Sequence, residues 1–282
     1  MTNEKKPSSV SVETAAGENE AIAVVTVDCF SGVDFEKIEI NMEEMFKSGV
    51  HFGHHKSRKN PRMNEYIFGV KNGINIIDLQ KTAEKLKEAL RFMEQIIIGG
   101  QKILFVGTKK QAKKIVEAAA KRCEMPFVTE RWLGGTFTNF SAISGRTRYL
   151  REGQEKMKTG EYDKYTKFEQ MKFAEELERL EMKMGGIKNM DKLPGAILVT
   201  GMIEDNLAVK EAKIKNVSVI ALADSNIDPR DIDYIIPANE DAVSSLKIIM
   251  TYVIKTILAA KKKAVIEKEA SLKAVESLKN KE

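Results

Sequence analysis

Residues 102–129 read KILFVGTKKQAKKIVEAAAKRCEMPFVT, and this stretch decides the fold. The compact apolar run Lys102–Val106 predicts a buried strand, and Gly107-Thr108 predicts the turn that ends it. A helix is expected from about Lys110 to Cys123, followed by a second strand at about 126–129. A strand, a crossover helix and another strand make up the unit from which parallel sheets are built.

The same rhythm continues on both sides of this unit. Upstream, Asp78 is a suitable N-cap for a helix whose apolar residues recur at helical spacing: Leu79, Leu86, Leu90, Met93 and Ile97. Downstream, strands are predicted at about 196–200, 217–223 and 232–237, with helices at about 205–215 and from near 239. The predicted fold class is α/β, with a mostly parallel sheet flanked by helices on both faces.

Between residues 139 and 185 the pattern changes to two long, highly charged helical stretches that are separated at Thr159-Gly160. Thr166 and Glu169 have the spacing of a capping box, which predicts the start of the second helix. Four apolar residues then step by four, three and four positions, as in the seam of a two-helix coiled coil: Phe173, Leu177, Leu180 and Met184. An antiparallel hairpin that projects from the body as an arm is therefore expected.

Charge divides the chain unevenly. Its formal net charge is +5, but residues 1–40 contain three lysines and eight acids, so the remainder is clearly basic. A basic body suggests a polyanionic partner. The predicted parts are a mostly disordered acidic leader (1–38), the first part of the α/β domain (39–138), the coiled-coil arm (139–186), the rest of the α/β domain (187–262) and a polar helical or frayed tail (263–282).

Composition excludes several classes of protein. The two cysteines, Cys29 and Cys123, are too few for a disulfide framework, which fits a reduced, cytoplasmic setting. The most apolar stretch, 246–260, is interrupted by Lys247 and Lys255, so no membrane span is expected. The acidic N-terminus resembles neither a secretory signal nor an Arg-rich transit peptide.

The best candidate for binding chemistry is the segment 131–140, which reads RWLGGTFTNF and contains the only tryptophan, Trp132. Its Gly-Gly turn lets the backbone approach a neighbour closely, and its arginine, hydroxyl and amide side chains suit phosphates and sugars. The alternative is a turn whose tryptophan fills the core. The hypothesis is that Arg131 and Trp132 contact RNA or brace the loop that does.

Basic clusters elsewhere support RNA as the partner. They lie at 51–62, at 102–122 and on the first helix of the arm, and each neutralised phosphate would release counterions. The residues expected to bind RNA are Lys56, Arg58, Lys59, Arg62, Lys109, Lys110, Arg131, Trp132, Thr136, Asn139, Arg146 and Arg148. Recognition of shape and backbone is expected, because no aromatic RNA-binding signature of the RRM type is present.

Two alternatives remain open at this stage. Lys109 and Lys110 follow a strand at a helix start, where an enzyme would hold a nucleotide or sugar phosphate, although no glycine-rich phosphate motif is present. His51 and His54, with the distant Asp224, are weak candidates for a metal site, but their spacing matches no standard zinc pattern. No catalytic residue, cofactor or small-molecule substrate is predicted.

Many ordered motifs together resemble the bacterial small-subunit ribosomal protein family numbered two. They are His51-Phe52-Gly53-His54, Asn60-Pro61-Arg62-Met63, Ile103–Lys109, Arg131–Gly135, Glu178–Glu181, Gly185–Lys188, Leu193-Pro194, Ala208–Ala212, Asp224-Ser225-Asn226, Asp228-Pro229 and Ile235–Pro237. The resemblance runs from about 41 to about 260.

This resemblance implies a Rossmann or flavodoxin-like sandwich with a protruding helical hairpin. It also implies a structural, non-enzymatic place on the small ribosomal subunit. The partners it implies are small-subunit rRNA and neighbouring ribosomal proteins, including the large mRNA-binding one. The chain departs from the family pattern at Lys59, Gly201, Asn216-Val217-Ser218 and Ala238, and the leader has no counterpart in a typical member.

Overall fold

The computed structural model describes residues 29–30 and 40–279, with side chains described to Ile266. The strands are β1 (Phe52–His55), β2 (Ile67–Lys71), β3 (Ile74–Ile77), β4 (Ile103–Val106), β5 (Phe127–Val128), β6 (Ala196–Val199), β7 (Ser218–Ala223) and β8 (Tyr234–Pro237). The α-helices are α1 (Met42–Lys47), α2 (Leu79–Ile98), α3 (Lys113–Cys123), α4 (Phe140–Lys158), α5 (Lys167–Met184), α6 (Asn206–Ile214) and α7 (Val243–Lys279). The predicted alternation of strands and helices is confirmed.

The main sheet has five parallel strands in the order β5-β4-β6-β7-β8. Alternate residues of a strand face opposite sides of a sheet, so β4 supplies both cores. Ile103 and Phe105 pack with α2, α3 and α7, whereas Leu104 and Val106 pack with α6 and the base of the arm. A strand that is covered on both faces must be apolar throughout, which is the pattern of residues 103–106.

A second sheet was not predicted. β1, β3 and β2 form a three-stranded antiparallel sheet, in that order. Its hairpin turns at Asn72-Gly73, where both residues have positive φ angles of 50° and 77°. Asn-Gly is the strongest short-range signal for such a hairpin, so the sequence contained the information. The sheet carries the basic turn 56–62 and places His54 beside the end of β7 through hydrogen bonds to Asp224 and Ser225.

The two arm helices contact each other, and the predicted capping box of Thr166 and Glu169 is present. Gln154 of α4 donates to Glu181 of α5 at 2.8 Å. The predicted seam residues are buried or half-buried, while Phe168, Met171 and Met182 lie exposed outside the seam. The coiled-coil geometry and the projection of the arm stay predictions.

The packing of the arm can be tested with two glycines of α4. A Cβ at Gly153 would lie 2.6 Å from Leu177 Cδ2, whereas a Cβ at Gly145 would meet no atom within 4 Å. Gly145→Ala is expected to stabilise α4 by about 0.5–1 kcal/mol through helix propensity. Gly153→Ala should lose that gain, because overpacking costs roughly 1–3 kcal/mol. Hydrogen exchange of α4 and α5 measures both, and equal protection in the two variants would contradict this packing.

Parts of the leader and α7 differ from expectation. Phe30 is buried in the core, and its carbonyl accepts a hydrogen bond from Arg122, so this part of the leader is packed. The predicted disorder of the rest of 1–38 lies outside the described residues.

By length and composition, the part of α7 from Val243 to Ile266 is apolar enough to span a membrane, contrary to prediction. Half of this apolar stretch is buried inside the protein, as in a core helix.

Candidate nucleic-acid interface

The loop 131–139 is organised by one buried carboxylate, Glu211 of α6. Its Oε1 accepts hydrogen bonds from Trp132 Nε1 at 3.3 Å and from the Gly135 amide at 2.8 Å. Its Oε2 accepts from the amides of Phe137 at 2.9 Å and Thr138 at 3.2 Å, and from the Thr138 hydroxyl at 3.3 Å. Burial opposes ionisation, but the donors from this loop hold the pKa of Glu211 below its usual value.

The loop buries some of its predicted RNA contacts and exposes others. Trp132 is 5% exposed and packs edge-on against Phe137 with ring centroids 5.1 Å apart, and Thr136 is 1% exposed. These two side chains therefore have almost no surface for direct contact with RNA, and the bracing alternative fits Trp132. Arg131 and Asn139 are exposed at the two ends of the loop.

Most of the predicted cations are not paired with any other residue that the structure describes. They are exposed, apart from the half-buried Lys59, and their side chains form no hydrogen bond or ion pair with any residue that the structure describes: Lys56, Arg58, Lys59, Lys110, Arg131, Arg146 and Arg148. A cation without a protein partner can neutralise a phosphate, and no ion pair within the protein has to break first. These seven residues are called the free cations below.

Arg62 and Lys109 are different, because the protein already pairs them. Arg62 Nη1 lies 2.6 Å from Asp228 Oδ2. Lys109 Nζ lies 2.8 Å from both Glu240 Oε1 and Asp241 Oδ1, and 3.9 Å from Glu204 Oε1. RNA would have to compete with these carboxylates, so the two residues are poorer candidates for phosphate contacts.

Lys109 is surrounded by acidic side chains at the carboxyl end of the main sheet. His54 Nδ1 lies 3.0 Å from Asp224 Oδ2, and His54 Nε2 lies 3.4 Å from Asp241 Oδ2. The hydrogen bond to Asp224 raises the pKa of His54 above its ordinary value. Burial raises the pKa of Glu240 to about 7, and Lys109 opposes that shift. Although burial disfavours its charge, the pKa of Lys109 is also raised, because it donates to Asp241 and Glu240.

The structure brings two of the three weak metal candidates together. His54, Asp224 and Asp241 offer ligand atoms that all lie within 4.8 Å of one another. His51 lies apart from this group, since its ring stacks on Phe46 at 4.3 Å and contacts Phe52 at 4.1 Å. Burial lowers the pKa of His51. The sequence made His51, His54 and Asp224 only weak candidates for a metal site, and it did not mark Asp241 as one.

The alternative of a nucleotide or sugar-phosphate enzyme is not favoured by this end of the sheet. A cavity of about 500 Å³ does lie beyond β4 and β6, where parallel sheets bind ligands at the point of strand reversal. The protein's own carboxylates hold the groups that a phosphate would need. The Thr108 amide donates to Asp205 Oδ2 at 3.3 Å, and Lys109 is neutralised by its acidic neighbours.

Asp205 should make stability depend on pH. Burial raises its pKa to about 6, despite the lowering effect of Thr108, and its Oδ1 has no partner among the described residues. The native state therefore binds a proton at the Asp205 carboxyl group more tightly than the unfolded chain does. The stability that this protonation contributes is complete below about pH 4 and is lost as the pH rises through 6.

From pH 4 to 7, the free energy of unfolding of the wild type is expected to fall by roughly 2–3 kcal/mol more than that of Asp205→Asn. Urea denaturation at a series of pH values measures the two slopes. Glu152→Gln, which changes an exposed acid, should keep the wild-type slope. Parallel slopes for Asp205→Asn and wild type would show that Asp205 titrates normally.

Sequence reasoning missed Glu211, Glu240 and Asp241. Glu211 lies on the buried face of α6 with Ala208 and Ala212, so an acid on an apolar stripe was the available signal. No local signal marks Glu240 or Asp241, because they precede α7 and meet Lys109 only through the fold.

Comparisons with known proteins agree with this architecture. The family model described as ribosomal protein S2 matches residues 45–260. A small ribosomal subunit protein uS2 from a Roseiflexus species is 47% identical over 210 residues, covering 74% of this chain and 80% of the relative. The uS2 protein of Thermus thermophilus is 44% identical over 224 residues, covering 79% and 88% of the two chains. With most of its length matched, and with the parallel sheet and the 131–139 loop in place, the chain belongs to the ribosomal protein S2 family.

Proposed function

We propose that this protein is a structural constituent of the small ribosomal subunit that binds small-subunit rRNA through its free cations. Membership of the ribosomal protein S2 family is the observation that carries the proposal. The proposed role is non-enzymatic, its place is the cytoplasmic ribosome, and its partners are rRNA and neighbouring ribosomal proteins, including the large mRNA-binding one.

The distribution of charge supports rRNA as the main partner. Free cations occur at the basic turn (Lys56, Arg58, Lys59), before α3 (Lys110), at the 131–139 loop (Arg131) and on α4 (Arg146, Arg148). They belong to separate elements, so a long or folded polyanion could engage several at once. Contacts with phosphates fix position and orientation without reading sequence.

Sedimentation of cell extract through sucrose gradients tests the proposal. The protein should travel with the small subunit and leave it as the salt concentration rises, because phosphate contacts release counterions. Protein that stays at the top of the gradient at every salt concentration would refute the ribosomal role.

Variants make the test specific. Arg146→Ala with Arg148→Ala removes two free cations that flank the buried Thr147 on α4, and it should lower the salt slope of rRNA binding by roughly 1–2. Arg62→Ala removes a cation that Asp228 already pairs, so it should change the slope less. The reverse order would mean that pairing in the protein does not decide which cations bind RNA.

A further inference from the structure

We infer that Glu211 is the positioning residue of the proposed RNA-binding loop: its buried carboxylate fixes the backbone of 131–139 and thereby presents Arg131 to RNA. This inference rests on the proposed function. Glu211 does not itself face RNA, because it is 4% exposed. It would act through the loop and through Arg131.

The number and placement of donors carry the inference. Five groups of the loop donate to the two oxygens of Glu211, and three of them are backbone amides, from Gly135, Phe137 and Thr138. Amides that converge on one anion fix backbone directions rather than a single side chain. The other hydrogen bonds of the loop go chiefly to the carbonyls of Leu133 and Gly135, and the buried rings of Trp132 and Phe137 anchor it to the core.

The backbone conformation of the loop fits this role. Gly135 has a φ angle of 90°, a region that L side chains rarely adopt, and its amide points to Glu211. The glycine permits the turn, and the carboxylate selects it from the other turns that a glycine pair allows. Without the anion, the buried amide of Phe137 and the partly buried amides of Gly135 and Thr138 would lack their acceptor, so the loop would rearrange to reach water.

The consequence for binding is pre-organisation. Arg131 is exposed and free, and it directly precedes Trp132, whose indole N–H also donates to Glu211. A loop that is already ordered loses less conformational entropy when it binds. Loss of the Glu211 charge should therefore weaken RNA binding through Arg131 without removing any group that touches RNA.

The order of the loop can be tested without RNA. Trypsin cleaves after arginine, so the rate of cut at Arg131 in the native protein reports how often the loop opens. Glu211→Gln keeps the side-chain size and removes the charge, and it should speed that cut by at least about tenfold, since hydrogen bonds to a charged group are the strong ones. Ile220→Val weakens the core on the other face of the main sheet, in a cluster that contains no residue of the loop, and it should speed the cut much less. Equal rates at Arg131 in these two variants would overturn the inference.

A double-mutant cycle tests the route to RNA, with full-length small-subunit rRNA as the probe. Arg131→Ala and Glu211→Gln should each weaken binding by about tenfold, and the double variant should be no weaker than Arg131→Ala alone. Glu211→Gln combined with Arg148→Ala should instead show multiplied losses, because Arg148 lies on α4 outside the loop. A merely structural Glu211 would give multiplied losses in both cycles.

The outcomes separate this inference from the proposed function. If Arg131→Ala weakens binding and Glu211→Gln does not, the positioning role is overturned and rRNA binding stands. If Arg131→Ala is silent while Arg146→Ala with Arg148→Ala weakens binding, the loop has no part in binding and the inference falls alone. If all of these cation variants bind as the wild type does, both fall.

Discussion

Replacing Trp132 by alanine is expected to lower the free energy of unfolding by about 3–5 kcal/mol, the usual cost of deleting a large buried aromatic ring. Trp132 is 5% exposed, packs edge-on against Phe137 and donates its indole N–H to Glu211. Its loss leaves a cavity and removes one of the five donors to a buried carboxylate. Equilibrium denaturation in urea measures the change.

Two controls separate packing from RNA contact. Phe46→Ala removes an aromatic ring that is 60% exposed and should change stability far less. Arg131→Ala should change stability by less than about 0.5 kcal/mol, as surface substitutions usually do, while it weakens rRNA binding. A Trp132→Ala protein that is as stable as the wild type would show that the ring does not brace the loop.

Replacing Lys109 by methionine is expected to cost about 3–5 kcal/mol, because it breaks a buried ion pair by removing one partner. Glu240 is fully buried, and Lys109 Nζ lies 2.8 Å from its Oε1. Asp224, Asp241 and Glu204 surround the same region, so the carboxylates would repel one another without this cation. Thermal and chemical denaturation measure the loss.

Lys110→Met is the matched control for this prediction. Lys110 is the next residue, carries the same charge and is exposed, so its replacement should leave stability within about 0.5 kcal/mol of the wild type. The two variants should show the opposite order in rRNA binding at temperatures where both are folded, since only Lys110 is a free cation. Equal stabilities of the two variants would contradict the ion-pair network.

The sequence was informative wherever a local pattern carries the structure. The capping box of Thr166 and Glu169 and the N-cap Asp78 of α2 agree with prediction. Helix starts that follow a hydrogen-bonded turn were less accurate. α3 begins at Lys113 rather than at about 110, after a turn that contains Lys109. α7 begins at Val243 rather than near 239, because Asn239 accepts hydrogen bonds from the amides of residues 241 and 242.

The candidate site was predicted less completely than the fold. Residue type and clustering identified the basic segments, and most of their cations are indeed exposed. The same reasoning could not separate Lys109 from Lys110, because adjacent lysines in a sequence look equivalent. Likewise, the sequence was compatible with two roles for Trp132, contact with RNA or bracing of the loop. Its 5% exposure in the structure favours bracing.

The sequence by itself determined the parallel α/β architecture, since apolar runs and helical periodicity are local consequences of which faces are buried. Only the tertiary structure decided which charges remain available to a partner. Lys109 meets Glu240 across 131 residues of chain, and Trp132 meets Glu211 across 79. Ion pairing and loop bracing require close approach in space, and no local pattern records which distant residues the fold brings within hydrogen-bond distance.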